Sequence, residues 1–272
     1  MLFRSELDAF ALLATSIEHN AKGKALLEAL GVAFAKAKEL GAAEKAIIFT
    51  ESRRTQNYLL RVLADSPFNE GIVLFNGSPT DDRSKQIYAA WVARHQGTDR
   101  VSGSRTADMR SALVDYFREE GRIMIATEAG AEGINLQFCS LVVNYDLPWN
   151  PQRIEQRIGR CHRYGQKHDV VVVNFLNRKN EADKRVFQLL AEKFQLFEGV
   201  FGASDEVLGA IGSGVDFEKR IADIYQRCRQ HEEIKEAFDQ LQLELNFEIN
   251  EAMTRTRSGR SSGSATKPRR LS

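Results

Sequence analysis

The stretch Ile123–Phe175, IMIATEAGAEGINLQFCSLVVNYDLPWNPQRIEQRIGRCHRYGQKHDVVVVNF, decides how this chain is read. Three short apolar runs, Arg122–Thr127, Ser140–Tyr145 and Asp169–Phe175, have the continuous hydrophobic character of strands buried on both faces. A Gly-containing turn separates the first two, and an arginine-dense segment of helix length separates the second from the third. A turn rich in backbone N–H groups at a strand's carboxyl end, with a cationic helix beside it, is the outline of a phosphate site.

The same grammar extends toward the N-terminus. Lys45–Thr50 and Gly71–Phe75 are two further buried-type strands, each followed by a polar turn and an amphipathic helix. Leucines and phenylalanines at helical spacing predict helix over residues 5–41, and Leu113 and Phe117 mark another before the third strand. The polar run between His95 and Thr106 reads as a surface loop. Five such strands alternating with helices predict an α/β fold, a doubly wound parallel sheet covered by helices on both faces, with ligands beyond the strands' carboxyl ends. Those ends are Glu51-Ser52, Asn76-Gly77, Thr127-Glu128, Asp146 and Asn177. After them, residues 181–211 read as helix and turn, and a longer helical pattern runs from Phe217 to about Met253.

At 272 residues and 43% hydrophobic, the chain can bury one sizeable core with a helical appendage. Its 38 basic and 37 acidic residues nearly balance, so local clustering must decide whether a polyanion binds. Cys139, Cys161 and Cys228 are odd in number and form no CxxC pair, which argues against a disulfide framework and predicts a reduced, intracellular, cytoplasmic protein. No apolar run reaches membrane-spanning length, so no membrane partner is expected. The last residues, 252–272, carry six basic and no acidic side chains among many Ser and Gly, the composition of a disordered basic tail.

On a helix over Pro151–Gly165, with successive side chains about 100° apart, Arg153, Gln156, Arg157, Arg160 and Arg163 share an arc of roughly 120°. Ile154, Ile158 and Cys161 form an adjacent apolar arc. The basic arc is open to two readings: a phosphate-binding face, or a solvated face partly paired with Glu155 or Asp146. Gly159, where a helix former would cost less, points to a close approach to the backbone. Cys161, His162 and His168 match no standard zinc spacing, and no metal site is expected there.

Thr127–Asn135, Tyr145–Pro151 and Glu155–Gln166 together closely resemble motifs V and VI of superfamily-two helicases in their Swi/Snf form. The blocks EGINLQ, DLPWNPQR and QRIGR–HR–GQ look most like the bacterial branch that includes the RNA-polymerase-associated ATPases of RapA type. Ile47–Ser52 resembles motif IV. The resemblance implies a RecA-like second lobe, the helicase C-terminal domain, over residues 22–201. A helical lead-in (1–21), a helical extension (202–251) and the basic tail (252–272) complete the expected organisation.

By that resemblance Arg160 and Arg163 are arginine fingers reaching the γ-phosphate, and Gln156 helps sense the nucleotide. Glu132 and Gly133 face the nucleotide. Thr127, Asn135, Trp149, Ser52, Arg53 and Asn76 lie on the nucleic-acid side. The implied cofactors are ATP and Mg²⁺, held mainly by lobe one. The implied partners are double-stranded DNA, lobe one itself, and RNA polymerase or another protein–DNA complex, with nucleoid association when DNA is bound. Glu128 and Glu132 depart from the commoner eukaryotic pattern, which has an arginine and an apolar residue at these positions. Arg153 and Arg157 are equally suited to structure and to phosphate.

The sequence contains no G-x-x-x-x-G-K-[ST] phosphate loop: Gly23-Lys24 is followed by Ala25, and Glu18 stands where the first glycine belongs. Asp205–Leu208 reads as a helix cap, not a magnesium-binding motif. The expectation is half of an ATP-driven DNA translocase or helicase, inactive as an ATP hydrolase alone. The alternative is a noncatalytic nucleic-acid or protein-binding module, or a gene remnant, that keeps the lobe's fold.

Overall fold

The computed structural model describes residues 20–77, 81–148, 150–162, 166–177, 183–184, 214–228, 230, 232–241, 243–244 and 247. The chain divides into two units, one formed by Met1–Leu147 with Arg157–Phe175, the other by Pro148–Gln156 with Leu176–Ser272. The expected lead-in before Asn20, most of the helix and turn over 181–211, the basic tail, Trp149 and Arg163 lie outside the described residues.

In the first unit, strands β1 (Ala46–Thr50), β2 (Ile72–Phe75), β3 (Ile123–Thr127), β4 (Leu141–Asn144) and β5 (Val171–Asn174) form one sheet in the order β2-β3-β1-β4-β5. Every neighbouring pair is parallel. Parallel neighbours need crossovers, and the crossovers here are helical. Helix α1 (Ala21–Glu39) precedes β1, α2 (Arg53–Ala64) joins β1 to β2, and α3 (Asp82–His95) with α4 (Arg105–Glu119) joins β2 to β3. The short α5 (Glu128–Ala131) follows β3, and α6 (Pro151–Cys161) lies between β4 and β5, across the boundary of the two units.

Side chains alternate across the sheet and build a core on each face. Ile47, Phe49, Val73, Phe75, Met124, Ala126 and Val142 pack with Ile87 and Trp91 of α3 and with Met109, Leu113 and Phe117 of α4. Ala46, Ile48, Ile123, Ile125, Leu141 and Val143 pack with Leu26, Leu30 and Phe34 of α1 and with Leu59 and Leu63 of α2. Every residue of β1, β3 and β4 is buried, which is why these runs carry almost no polar residue.

Helices α1, α2 and α3 are each capped by a side chain aimed at the first free N–H groups, whereas Thr127 at the head of α5 makes no such bond. Asn20 accepts from Lys22 N at 2.7 Å and Gly23 N at 3.0 Å, so the helix expected from residue 5 has a start at Ala21. Ser52 accepts from Thr55 N at 3.1 Å, and Asp81 accepts from Ser84 N at 2.8 Å. The helix expected over 151–165 ends at Cys161.

In the second unit the long helical pattern after Phe217 is two pieces. Helix α7 (Gly214–Arg227) ends before Cys228, and a second helical run covers residues 232–241. The break carries neither Gly nor Pro. The Glu233 carboxylate reaches back to accept from Gln230 N at 3.2 Å, the acidic half of a helix-start cap, which marks where the second run begins. The two pieces meet at Tyr225 and Phe238, ring centroids 5.8 Å apart. Among the described residues no helix is long and apolar enough to cross a membrane.

One packing contact ties the sheet to the loop after β3. A Cβ added at Gly130 would lie 2.7 Å from both the Asn76 Cα and the Phe75 carbonyl oxygen, backbone atoms at the end of β2. Gly130→Ala should therefore destabilise the protein by about 1–3 kcal/mol, read as a lower urea midpoint with an unchanged slope. A midpoint equal to wild type would mean that the loop is free to move away from β2.

Candidate functional site: the carboxyl edge of the sheet

The carboxyl ends of β1 and β3 lie side by side, with Thr50 opposite Thr127, and Asn144 of β4 lies opposite Phe49. Three polar networks occupy this edge.

The first gathers on Asp146, just past β4. Its carboxylate accepts from the Thr50 hydroxyl at 2.6 Å, from Glu51 N at 3.1 Å and from Lys22 Nζ at 3.2 Å. Burial alone would push this carboxyl up, but the hydrogen bonds from Thr50 and Glu51 and the Lys22 charge outweigh it and hold the group below the usual carboxylate range. Lys22 also lies 4.1 Å from the centre of the Tyr145 ring. Asp146 therefore locks the start of α1 and the end of β1 to β4.

The second network joins two residues expected on the nucleic-acid side. Arg53 Nη2 donates to Asn76 Oδ1 at 3.0 Å, Asn76 Nδ2 donates to Gln56 Oε1 at 3.1 Å, and Gln56 Nε2 donates to the Ile125 carbonyl at 2.7 Å. Asn76 is 7% exposed and Gln56 1%. Asn76 thus acts beneath the surface, fixing Arg53 on the exposed start of α2. Gln56 was missed in the sequence, although a glutamine in line with Leu59 and Leu63 on a helix's buried face is a readable signal.

The third network is built on α6. Arg157 is 2% exposed. Its Nε and Nη2 both donate to Glu128 Oε2, at 2.9 and 2.5 Å. Its Nη1 donates to Asn144 Oδ1 at 3.0 Å and to the Asp146 carbonyl at 2.9 Å, and the guanidinium lies 5.0 Å from the centre of the Phe49 ring. The solvated-face reading of this arginine is therefore corrected, and so is its phosphate-binding alternative: the side chain points into the fold, with its donors committed to four partners' oxygens or rings. The Glu128 that departs from the commoner pattern is its counter-ion.

Three residues further along α6, Arg160 is half-buried, and among the described residues its guanidinium has no hydrogen-bond or ion-pair partner. Its carbonyl accepts from Leu136 N at 2.8 Å, which fastens this turn of helix to the loop after β3. Cys161 is fully buried; its hydrogen bond with Cys139, reinforced by burial, pushes its thiol well above the ordinary range, so it is a neutral anchor. The close backbone approach expected at Gly159 is not made within the described chain, because an added Cβ there meets nothing within 4 Å.

The loop carrying Glu132 and Gly133 lies between buried Ala131 and buried Ile134, with both residues exposed. Arg110 of α4, unremarked in the sequence, donates from Nη2 to the Glu132 carbonyl and stacks 5.4 Å from the centre of the Phe75 ring. Thr127 is 8% exposed at the head of α5, and Asn135 is exposed with its Oδ1 accepting from Gln137 N at 3.2 Å. Ser52 uses its hydroxyl as the α2 cap. Gln156 is exposed on α6, in the unit that holds Pro148–Gln156.

Residues 21–165 match the helicase conserved C-terminal domain, more than half of the chain. The chain belongs to that family. Its parallel sheet with helices on both faces is the RecA-like fold the resemblance implied. An uncharacterised ATP-dependent helicase of Bacillus subtilis, YqhH, is 42% identical over 170 residues, which is 62% of this chain and 30% of that protein. The RNA polymerase-associated protein RapA of Vibrio cholerae is 43% identical over 90 residues, 32% of this chain and 9% of that protein. The chain thus spans less than a third of the length of these relatives. Among solved structures, the C-terminal part of the Fun30 ATPase domain aligns with a TM-score of 0.44 at 24% identity, covering 63% of this chain and 47% of that one.

Two outcomes follow from the networks. Arg157→Ala leaves the buried Asn144 carboxamide without its donor and should cost about 1–3 kcal/mol in chemical unfolding, while Glu128, 38% exposed, can turn to water. Asp146 contributes stability that is complete above the unfolded carboxylate pKa of about 3.9 and is lost as pH falls through its lower folded pKa. Asp146→Asn should therefore flatten the acid limb of the stability–pH curve below about pH 4, and an acid limb as steep as wild type would refute that assignment.

Proposed function

We propose that this chain is the second motor lobe of an ATP-dependent duplex-DNA translocase or helicase of the Swi/Snf type, close to the bacterial RapA-like branch. The observation that carries this reading is the contrast within α6. Arg157 is buried against Glu128, whereas Arg160, one turn on, keeps a guanidinium with no partner among the described residues. A helix anchored by one buried arginine carries the next with its guanidinium uncommitted, able to meet a phosphate as a finger does.

ATP fits the edge as an external ligand. Arg160 and Arg163 would meet its terminal phosphate, Gln156 would sense it, and the Glu132–Gly133 turn would face it. ATP supplies the phosphoryl group whose transfer drives the motor, and its Mg²⁺ would be held mainly by the partner lobe. What this chain's residues do is neutralise and orient: a guanidinium brought to the phosphate lowers the cost of the negative charge that develops there. Arg53, positioned through Asn76, together with Ser52, Thr127, Asn135 and Trp149, forms the DNA side. RNA polymerase or another protein–DNA complex is the larger partner that the similarity to RapA suggests.

The pure chain should bind a duplex oligonucleotide but hydrolyse no ATP. Joined to a P-loop lobe, it should support DNA-stimulated hydrolysis that Arg160→Ala lowers by on the order of 10³-fold or more. Arg53→Ala should reduce the slope of log affinity against log salt by about 0.9, one phosphate contact. Hydrolysis by the pure chain that Arg160→Ala abolishes would overturn the division of labour, and an unaffected rate in the joined protein would overturn the finger assignment.

A further inference from the structure

The loop from Glu128 to Leu136 is fixed at four points, and three of them hold its ends: the Glu128 carboxylate by Arg157, Gly130 against β2, and Leu136 N on the Arg160 carbonyl. The fourth acts in the middle. Arg110 reaches from α4 to the Glu132 carbonyl, with its guanidinium supported on Phe75, itself 1% exposed.

That carbonyl belongs to the same rigid peptide plane as the Gly133 N–H. The chain has no cis peptide among its described residues, so the two groups point in opposite directions. With the carbonyl turned back to Arg110, the Gly133 N–H is turned away from α4. Gly133 has φ +75°, a conformation in which a side chain would be strained, so the turn relies on glycine to make this orientation. Flanking Ala131 and Ile134 are 3% and 6% exposed, which leaves the plane between them as the part of the loop whose direction needs a separate hold.

We propose that Arg110 is a positioning residue: by fixing the Glu132 carbonyl it aims the Gly133 N–H at the polyphosphate of the nucleotide. This rests on the reading that the Glu132–Gly133 turn faces the nucleotide. Arg110 itself touches no ligand in this scheme. Its guanidinium donates inward, and the anion is met by a backbone donor.

The test uses the full 272-residue chain and an amide-resolved NMR titration with inorganic triphosphate, with hydrogen exchange read in parallel. In wild type the Gly133 amide should shift saturably. Arg110→Ala should weaken that response roughly tenfold, as expected for one lost hydrogen bond, and should speed exchange at Gly133 and Ile134 while strand amides keep their protection. Arg110→Lys, which retains a donor for the carbonyl, should recover most of both effects. If Arg110→Ala matches wild type in titration and exchange, the positioning role is refuted. If the wild-type Gly133 amide ignores triphosphate while Arg110→Ala still alters its exchange, the nucleotide-facing reading of the turn fails, and with it the purpose assigned to Arg110.

Discussion

A guanidinium taken out of water keeps its charge and its N–H donors, so it is tolerated inside a protein only where oxygens already wait for it. Arg157 meets that condition with a carboxylate from the loop after β3, a carboxamide from β4 and a carbonyl just past β4. None of these can shift without leaving a buried donor of Arg157 unpaired. Much of the carboxyl edge follows from this constraint: it fixes the rotation of α6 about its axis, the root of the loop beginning at Glu128, and the end of β4. Along the same helix the Arg160 carbonyl is where Leu136 N needs it.

The strands were legible because burial on both faces of a parallel sheet leaves unbroken apolar runs, and AIIFT, IMIAT and LVVN read as nothing else. Helix starts were less so: Ser52, read as a nucleic-acid contact, is the cap of α2, and the first helix, expected from residue 5, has its cap at Asn20. Arg157 was harder. Charge placed it with Arg153 and Arg160 on a polar arc, yet its spacing from Ile154 and Cys161, three before and four after, is that of a single buried stripe. Periodicity was the better guide there, and charge concealed it.

What the sequence could not reveal are contacts between elements distant along the chain. Nothing local marks Glu128 as the counter-ion of a residue on another helix, or Arg110 as the partner of a carbonyl in a later loop. Asn76 shows the converse: a residue expected on the nucleic-acid side lies below the surface and holds Arg53. The break after Arg227 escaped because the new helix is capped by a carboxylate, Glu233, with no glycine or proline to announce it.

The strand order also governs how the chain reaches this state. β1 lies at the centre of the sheet, yet its first pairing partner in the sequence is β3, where Ala46 meets Ile123, roughly 77 residues later. At ribosomal elongation rates of about 5–20 residues per second, AIIFT emerges some 4–15 s before any strand can cover it. Pairings so far apart close slowly, because loop entropy is lost before any contact forms. The nascent chain therefore carries this apolar strand unpaired for seconds, with the flanking helices α1 and α2 at hand to cover one of its faces.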